Sequence, residues 1–182
     1  MNYNYPFVIQ NGGSEQITFL GLKQKGNIEC IEIEGLVQPK AGPPMHVHHQ
    51  QEETITIVKG KMATQILNEQ PRFHNEGETV TFKAGVPHRF WNSGTEPLRT
   101  IGFATPPNNL VYFLSGIYNS TKENGGKRPG LFDSAFLLTR YKSEFDMVDV
   151  PAFVKKFIFP IVLFFGKITG KGKKFRDAPM PL

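Results

Sequence analysis

The sequence predicts a mainly β protein, a sandwich or barrel of short strands, with a helical extension at its C-terminal end. Three observations predict it. Short runs rich in β-branched residues recur through residues 1–105. Turn-forming Gly and Asn separate them. After Pro106-Pro107 the pattern changes to longer, helix-like segments.

The strand runs are 17–20, 28–34, 54–58, 62–67, 79–82 and 98–103, several of them alternating. Asn11-Gly12-Gly13, Lys25-Gly26-Asn27, Gly60-Lys61, Glu76-Gly77 and Ser93-Gly94 punctuate them. Asn108-Asn109 is positioned to cap a helix through Leu110–Tyr118, which Asn124-Gly125-Gly126 ends. A second helix is predicted over Leu131–Tyr141. A third starts near Pro151 and runs towards Gly166 or Gly170, with Pro160 expected to kink or split it. The chain thus divides into a β domain, 1–105, and an extension of two to three helices, 106–182, packing on the β domain or on a dimer partner.

Composition is that of a globular protein: 39% hydrophobic and 20% charged. Cys30 has no disulfide partner, and residues 1–10 lack a basic, apolar leader, so the expected setting is cytoplasmic. The net charge of +5 is unevenly placed. Residues 151–182 carry seven Lys/Arg against Asp177 alone, so the body is near neutral. A near-neutral body without a helix-turn-helix argues against nucleic-acid binding.

Candidate chemistry lies in two segments. In the first, His46 and His48 are two residues apart, so on a strand they share a face and both reach one ion. His49 points away. Glu53 shares parity with Ile55 and Ile57, whereas Glu52 goes with Thr54 and Thr56, so Glu53 is the interior carboxylate. In the second, His88 follows the corner Gly85-Val86-Pro87, which can bring it beside the first group. His46, His48, Glu53 and His88 then form an N/O donor set for a divalent transition metal: Fe, Mn, Ni, Cu or Zn. His74 sits among polar residues and reads as a surface side chain. Phe90 shares a face with His88. With Ile55 and Ile57, it is the expected pocket lining.

These spacings resemble the cupins. His46-x-His48, four residues, Glu53, six residues and Gly60 follow the first cupin motif, although Gly42 stands out of step with its leading glycine. Gly77, Gly85, His88 and Asn92 follow the second motif, with Lys83 where proline is usual. The sixteen residues between Gly60 and Gly77 match the short spacing of a single-domain cupin of the cupin-2 type. The resemblance implies an antiparallel jelly-roll barrel with a metal in its mouth, and often a homodimer. It also implies small-molecule metalloenzyme chemistry, dioxygenase-like or isomerase-like, on an enol, phenol or similar oxygen donor. Glu53 would double as the catalytic base. The alternative is a non-enzymatic ligand-binding or sensor cupin.

Phe157–Phe165 is apolar throughout but too short for a membrane span, which needs about 20 residues. Three roles remain open for it: covering the barrel, meeting a second subunit, or lying on a membrane surface with the basic tail against anionic lipid.

Overall fold

Alternating side chains and tight turns set eleven strands among the residues described, 3–182 of a computed structural model. In chain order they are β1 (Phe7–Gln10), β2 (Glu15–Lys25), β3 (Ile28–Val37), β4 (His46–His48), β5 (Glu52–Lys59) and β6 (Met62–Ile66). Then come β7 (Arg72–His74), β8 (Thr79–Phe82), β9 (His88–Asn92), β10 (Leu98–Thr105) and β11 (Phe145–Met147). One sheet has the order β1-β2-β3-β10-β5-β8 and the other β11-β4-β9-β6-β7. The strand pairs are antiparallel, and the two sheets form a jelly roll.

The predicted runs appear as β2, β3, β5, β6, β8 and β10. Strands β1, β7 and β11 are three or four residues long and too short to carry a periodic signal. The barrel has two apolar cores. Val37, Ile55, Ile57, Met62, Phe82 and Leu98 fill one. The other joins Ile9, Phe19, Ile31 and Ala104 of the large sheet to helical residues such as Leu110, Phe113, Leu137 and Tyr141. Burying each large side chain of this kind contributes about 1.5–3 kcal/mol.

The helices are α1 (Leu110–Glu123), α2 (Leu131–Arg140) and α3 (Phe159–Ile168). Asn109 precedes α1 as expected, but its side chain does not cap it. Its Nδ2 donates to Glu144 Oε1 at 2.7 Å and to the Met180 carbonyl at 3.0 Å, so it serves tertiary contacts instead. Gly125, with φ of 75°, supplies the left-handed step that ends α1. Residues Val154–Ile158 form a π-helical turn that runs straight into α3. Pro160 sits in the first turn of α3, where its missing N–H is tolerated, so the expected split takes the form of a change of helix type.

The extension is built into the barrel. Strand β11 pairs with β4 through Phe145↔His48 and Met147↔His46. The last residues strap back over it. Arg140 Nε and the Tyr141 hydroxyl both donate to the Pro179 carbonyl at 3.0 Å, and Leu182 N donates to Glu144 Oε1 at 3.1 Å. Helix α3 packs on α2, where Gly166 lies against Phe132: a Cβ there would meet the ring at 1.9 Å. Among the described residues, no helix is long and apolar enough to cross a membrane.

Candidate functional site

Four ligand-type side chains converge at one end of the barrel. Strand β4 presents His46 and His48, β5 presents Glu53, and β9 presents His88, with His46 and His88 in direct cross-strand register. One nitrogen or oxygen from each lies within 4.8 Å of the others. The ring centroids are 5.0 Å apart for His46–His48, 4.5 Å for His46–His88 and 5.7 Å for His48–His88.

Local backbone fixes two of the rings. His46 donates Nδ1–H to the Pro44 carbonyl at 2.8 Å, and His88 donates Nδ1–H to the Val86 carbonyl at 2.8 Å. A carbonyl only accepts, so each neutral ring carries its lone pair on Nε2. His88 Nε2 then stands 3.1 Å from Glu53 Oε2. Two acceptors at that distance require a proton or a cation between them. His48 is held by packing, its ring edge-on to Phe145 at 5.5 Å, and its Nδ1 is buried without a hydrogen-bond partner among the described residues. Phe82 stacks flat on His88, 3.9 Å between centroids and 7° between planes.

The electrostatics favour metal-ready protonation states. Burial, then the neighbouring His48 and His88, push the His46 imidazole down to about 3, against the opposing pull of Glu53 and Pro44. Burial likewise lowers His48. Burial alone would raise the Glu53 carboxyl. The His88 hydrogen bond and the three imidazoles outweigh it and bring the group down to about 2. Neutral imidazoles at His46 and His48 beside an ionised Glu53 carboxylate are forms a divalent transition metal requires, so the donor set fits one.

The strand-parity reading separates the two glutamates in space. Glu53 faces the cluster, while Glu52 forms an outward ion pair with Lys83, the residue standing in place of the motif proline. Gly42 has a packing role despite its shifted position, since a Cβ there would lie 2.1 Å from the Phe90 carbonyl of β9. Gly85 N donates to the His48 carbonyl at 2.7 Å and ties the corner before His88 to β4. Asn92 is fully buried. It donates to the Val37 and Glu96 carbonyls at 2.9 and 2.8 Å and accepts from Gly94 N at 2.9 Å, so it holds the turn after β9.

A cavity of about 670 Å³ opens from the cluster. Phe90 and Ile55 line it. Ile57 does not, which corrects the expectation: it shares their face but lies two residues further along β5, packed 1% exposed in the core with Met62 and Leu98. Arg89 and Trp91 alternate outward, Arg89 bonding Gln65 and lying 5.1 Å from the Trp91 ring. His49 is exposed, and His74 is half-buried on Thr64 Oγ1 at 2.9 Å.

Sequence reasoning missed the other wall of the cavity. Leu110, Phe113, Leu114, Ile117 and Tyr118 of α1 contribute to it, as do Glu15 and Ile17 of β2. The Tyr118 hydroxyl donates to Glu15 Oε2 at 2.9 Å, and Asn11 Nδ2 donates to Glu15 Oε1 at 3.0 Å. Burial raises Glu15 above the usual carboxylate range despite these bonds, and raises Tyr118 well above 10. Only the i, i+4 spacing of Leu110, Leu114 and Tyr118 hints at a shared face.

Residues 34–103 match the family Cupin_2, described as a cupin domain. No curated protein matches the chain significantly. Among solved structures, KdgF from Halomonas sp. superposes with a TM-score of 0.50 at 11% identity, over 58% of this chain and 92% of that one. A protein with a double-stranded β-helix domain from Klebsiella pneumoniae gives 0.43 at 21% identity, over 52% and 78%. A cupin-like protein from Thermotoga maritima gives 0.46 at 19% identity, over 56% and 80%. The two-sheet barrel, the motif spacing and the family match agree that residues 34–103 form a cupin domain.

Proposed function

We propose that His46, His48, Glu53 and His88 hold one divalent transition metal, and that the cavity presents a small, largely apolar oxygen-donor molecule to it. The approach of His88 Nε2 to Glu53 Oε2 at 3.1 Å carries this reading. With Nδ1–H committed to Val86, a cation between the two atoms turns acceptor–acceptor repulsion into attraction. When bound, such an ion supplies Lewis acidity towards a ligand hydroxyl or carbonyl oxygen.

The chain's own groups do the remaining work. Phe90, Ile55, Phe113 and Leu114 exclude water and favour an aromatic or alicyclic body. Glu53 Oε2 is the base for a ligand hydroxyl. Held near 2, it is a weak base, so transfer to it requires a hydroxyl that is already acidified. Tyr118 and Glu15 offer a hydrogen bond to a second polar group. Dioxygenase-like or isomerase-like chemistry on an enol or phenol suits this lining. A cytoplasmic setting belongs to the same reading, supported by the lone buried thiol of Cys30.

Binding without turnover is a second reading. It is favoured by the pairing of Glu15 with Tyr118, which commits these two buried groups of the wall to each other. Metal analysis of chelator-free protein tests the site: His48→Ala and His88→Ala should lose the metal, and unchanged content in both contradicts the assignment. Anaerobic Fe(II) reconstitution followed by O2 uptake and product analysis on a panel of phenols and enols then separates the readings. Turnover supports the enzyme. Saturable binding without product supports the binder.

A further inference from the structure

Helix α3 and the turn before it are apolar on both sides. Phe159, Val162, Leu163 and Gly166 face inward or are half-buried. The opposite side exposes Phe153, Phe157, Ile161, Phe164, Phe165 and Ile168, each at least 55% exposed. The spacing 153, 157, 161, 164, 168 follows one helical face, about 22 Å long at 1.5 Å per residue. A helix that is apolar all round is normally covered on every side. This one is covered on one.

Charge identifies the cover. Lys156 at one end and Lys167, Lys171 and Lys173 at the other are exposed and form no ion pair among the described residues. Lys155 and Lys174 are committed, to Asp146 and to Glu123 and Asp133. The Lys174 pairs anchor the basic turn to α1 and α2, so its free lysines stay beside the apolar face. A second copy docked on this face would bring two such basic segments together. An anionic surface would not meet that repulsion.

We propose that this face is a membrane-surface site: α3 lies parallel to a bilayer, its Phe and Ile row in the interfacial layer and its lysines on anionic headgroups. The site is independent of the metal centre.

Co-sedimentation of the full chain with vesicles tests it. The protein should partition into phosphatidylcholine–phosphatidylglycerol vesicles roughly tenfold or more better than into phosphatidylcholine alone, and 0.5 M NaCl should remove the difference. Phe157→Ser/Phe164→Ser/Ile168→Ser and, separately, Lys167→Glu/Lys171→Glu/Lys173→Glu should each lower binding to anionic vesicles by about tenfold or more. Should the first variant unfold, the second, confined to exposed side chains, decides alone. Three results would overturn the proposal: no binding to anionic vesicles, equal binding to both compositions, or binding that the lysine variant leaves intact. A dimer in solution that the serine variant splits, without vesicle binding by the wild type, would give the face to a second copy.

Discussion

The Phe82 ring lies parallel to His88, centroids 3.9 Å apart, on the strand whose Phe82 is also the cross-strand partner of Glu53. One side chain from β8 therefore supports two of the four ligands. Neither motif includes it. Phe82→Ala should cost about 3–5 kcal/mol in stability, as deletion of a buried ring does. It should also weaken metal affinity by about 10–100-fold, the usual effect of removing a group that orients a ligand. Phe82→Leu should recover most of the stability and less of the affinity. Thermal melts and metal titration check the two effects separately.

The two neighbouring glutamates should behave differently. Glu53→Gln removes the only carboxylate of the cluster and should release the metal. Glu52→Gln breaks only the exposed pair with Lys83 and should keep it, with a stability change of about 0–1 kcal/mol. Metal content of the two purified variants checks this. Loss in Glu52→Gln alone would mean that the strand faces are reversed, and equal loss in both would contradict the assignment of Glu53 as the one carboxylate ligand.

Gly166→Ala should lower stability by about 1–3 kcal/mol, because the new methyl group meets the Phe132 ring that α3 packs against. The metal site should be untouched. A melting temperature equal to wild type would show that α3 is not docked on α2 as described.

The Glu15–Tyr118 pair predicts a pH signature. The Glu15 carboxyl is raised by burial, so the stability linked to its protonated form is present below the ordinary carboxylate value and lost as pH rises through its raised one. The Tyr118 hydrogen bond offsets part of that loss. Tyr118→Phe should therefore cost about 1–3 kcal/mol at neutral pH and less at pH 4, where Glu15 is protonated. Tyr118 itself is raised, so its contribution is complete below about 10 and falls as pH climbs through its higher folded value. Wild type should lose stability above pH 10 more steeply than Tyr118→Phe. Melts of both proteins across pH 4–11 check the pattern, and a constant difference would contradict it.

What the sequence made legible was local. The two-residue period of strands sorted His46, His48 and Glu53 from His49 and Glu52, and the spacing of glycines around His88 placed the second segment. Depth was not legible: Ile57 has the parity of Ile55 but sits a layer away from the cavity. Nor were contacts between distant segments. Nothing in Phe145–Met147 announces a strand that pairs with the ligand strand β4. Asn109 has the composition of a cap, yet Glu144 and the C-terminal strap claim its side chain. Tyr118 could be placed on a helix face but not over the barrel, because that depends on how α1 closes on β2.

The most direct measurement is an anomalous-difference map from crystals grown without chelator, with data collected at the absorption edge of the metal found by elemental analysis. A single strong peak is expected in bonding contact with His46, His48, Glu53 and His88, facing the cavity lined by Phe90 and Tyr118. No peak among those four side chains, in protein shown to carry the metal, would contradict the assignment.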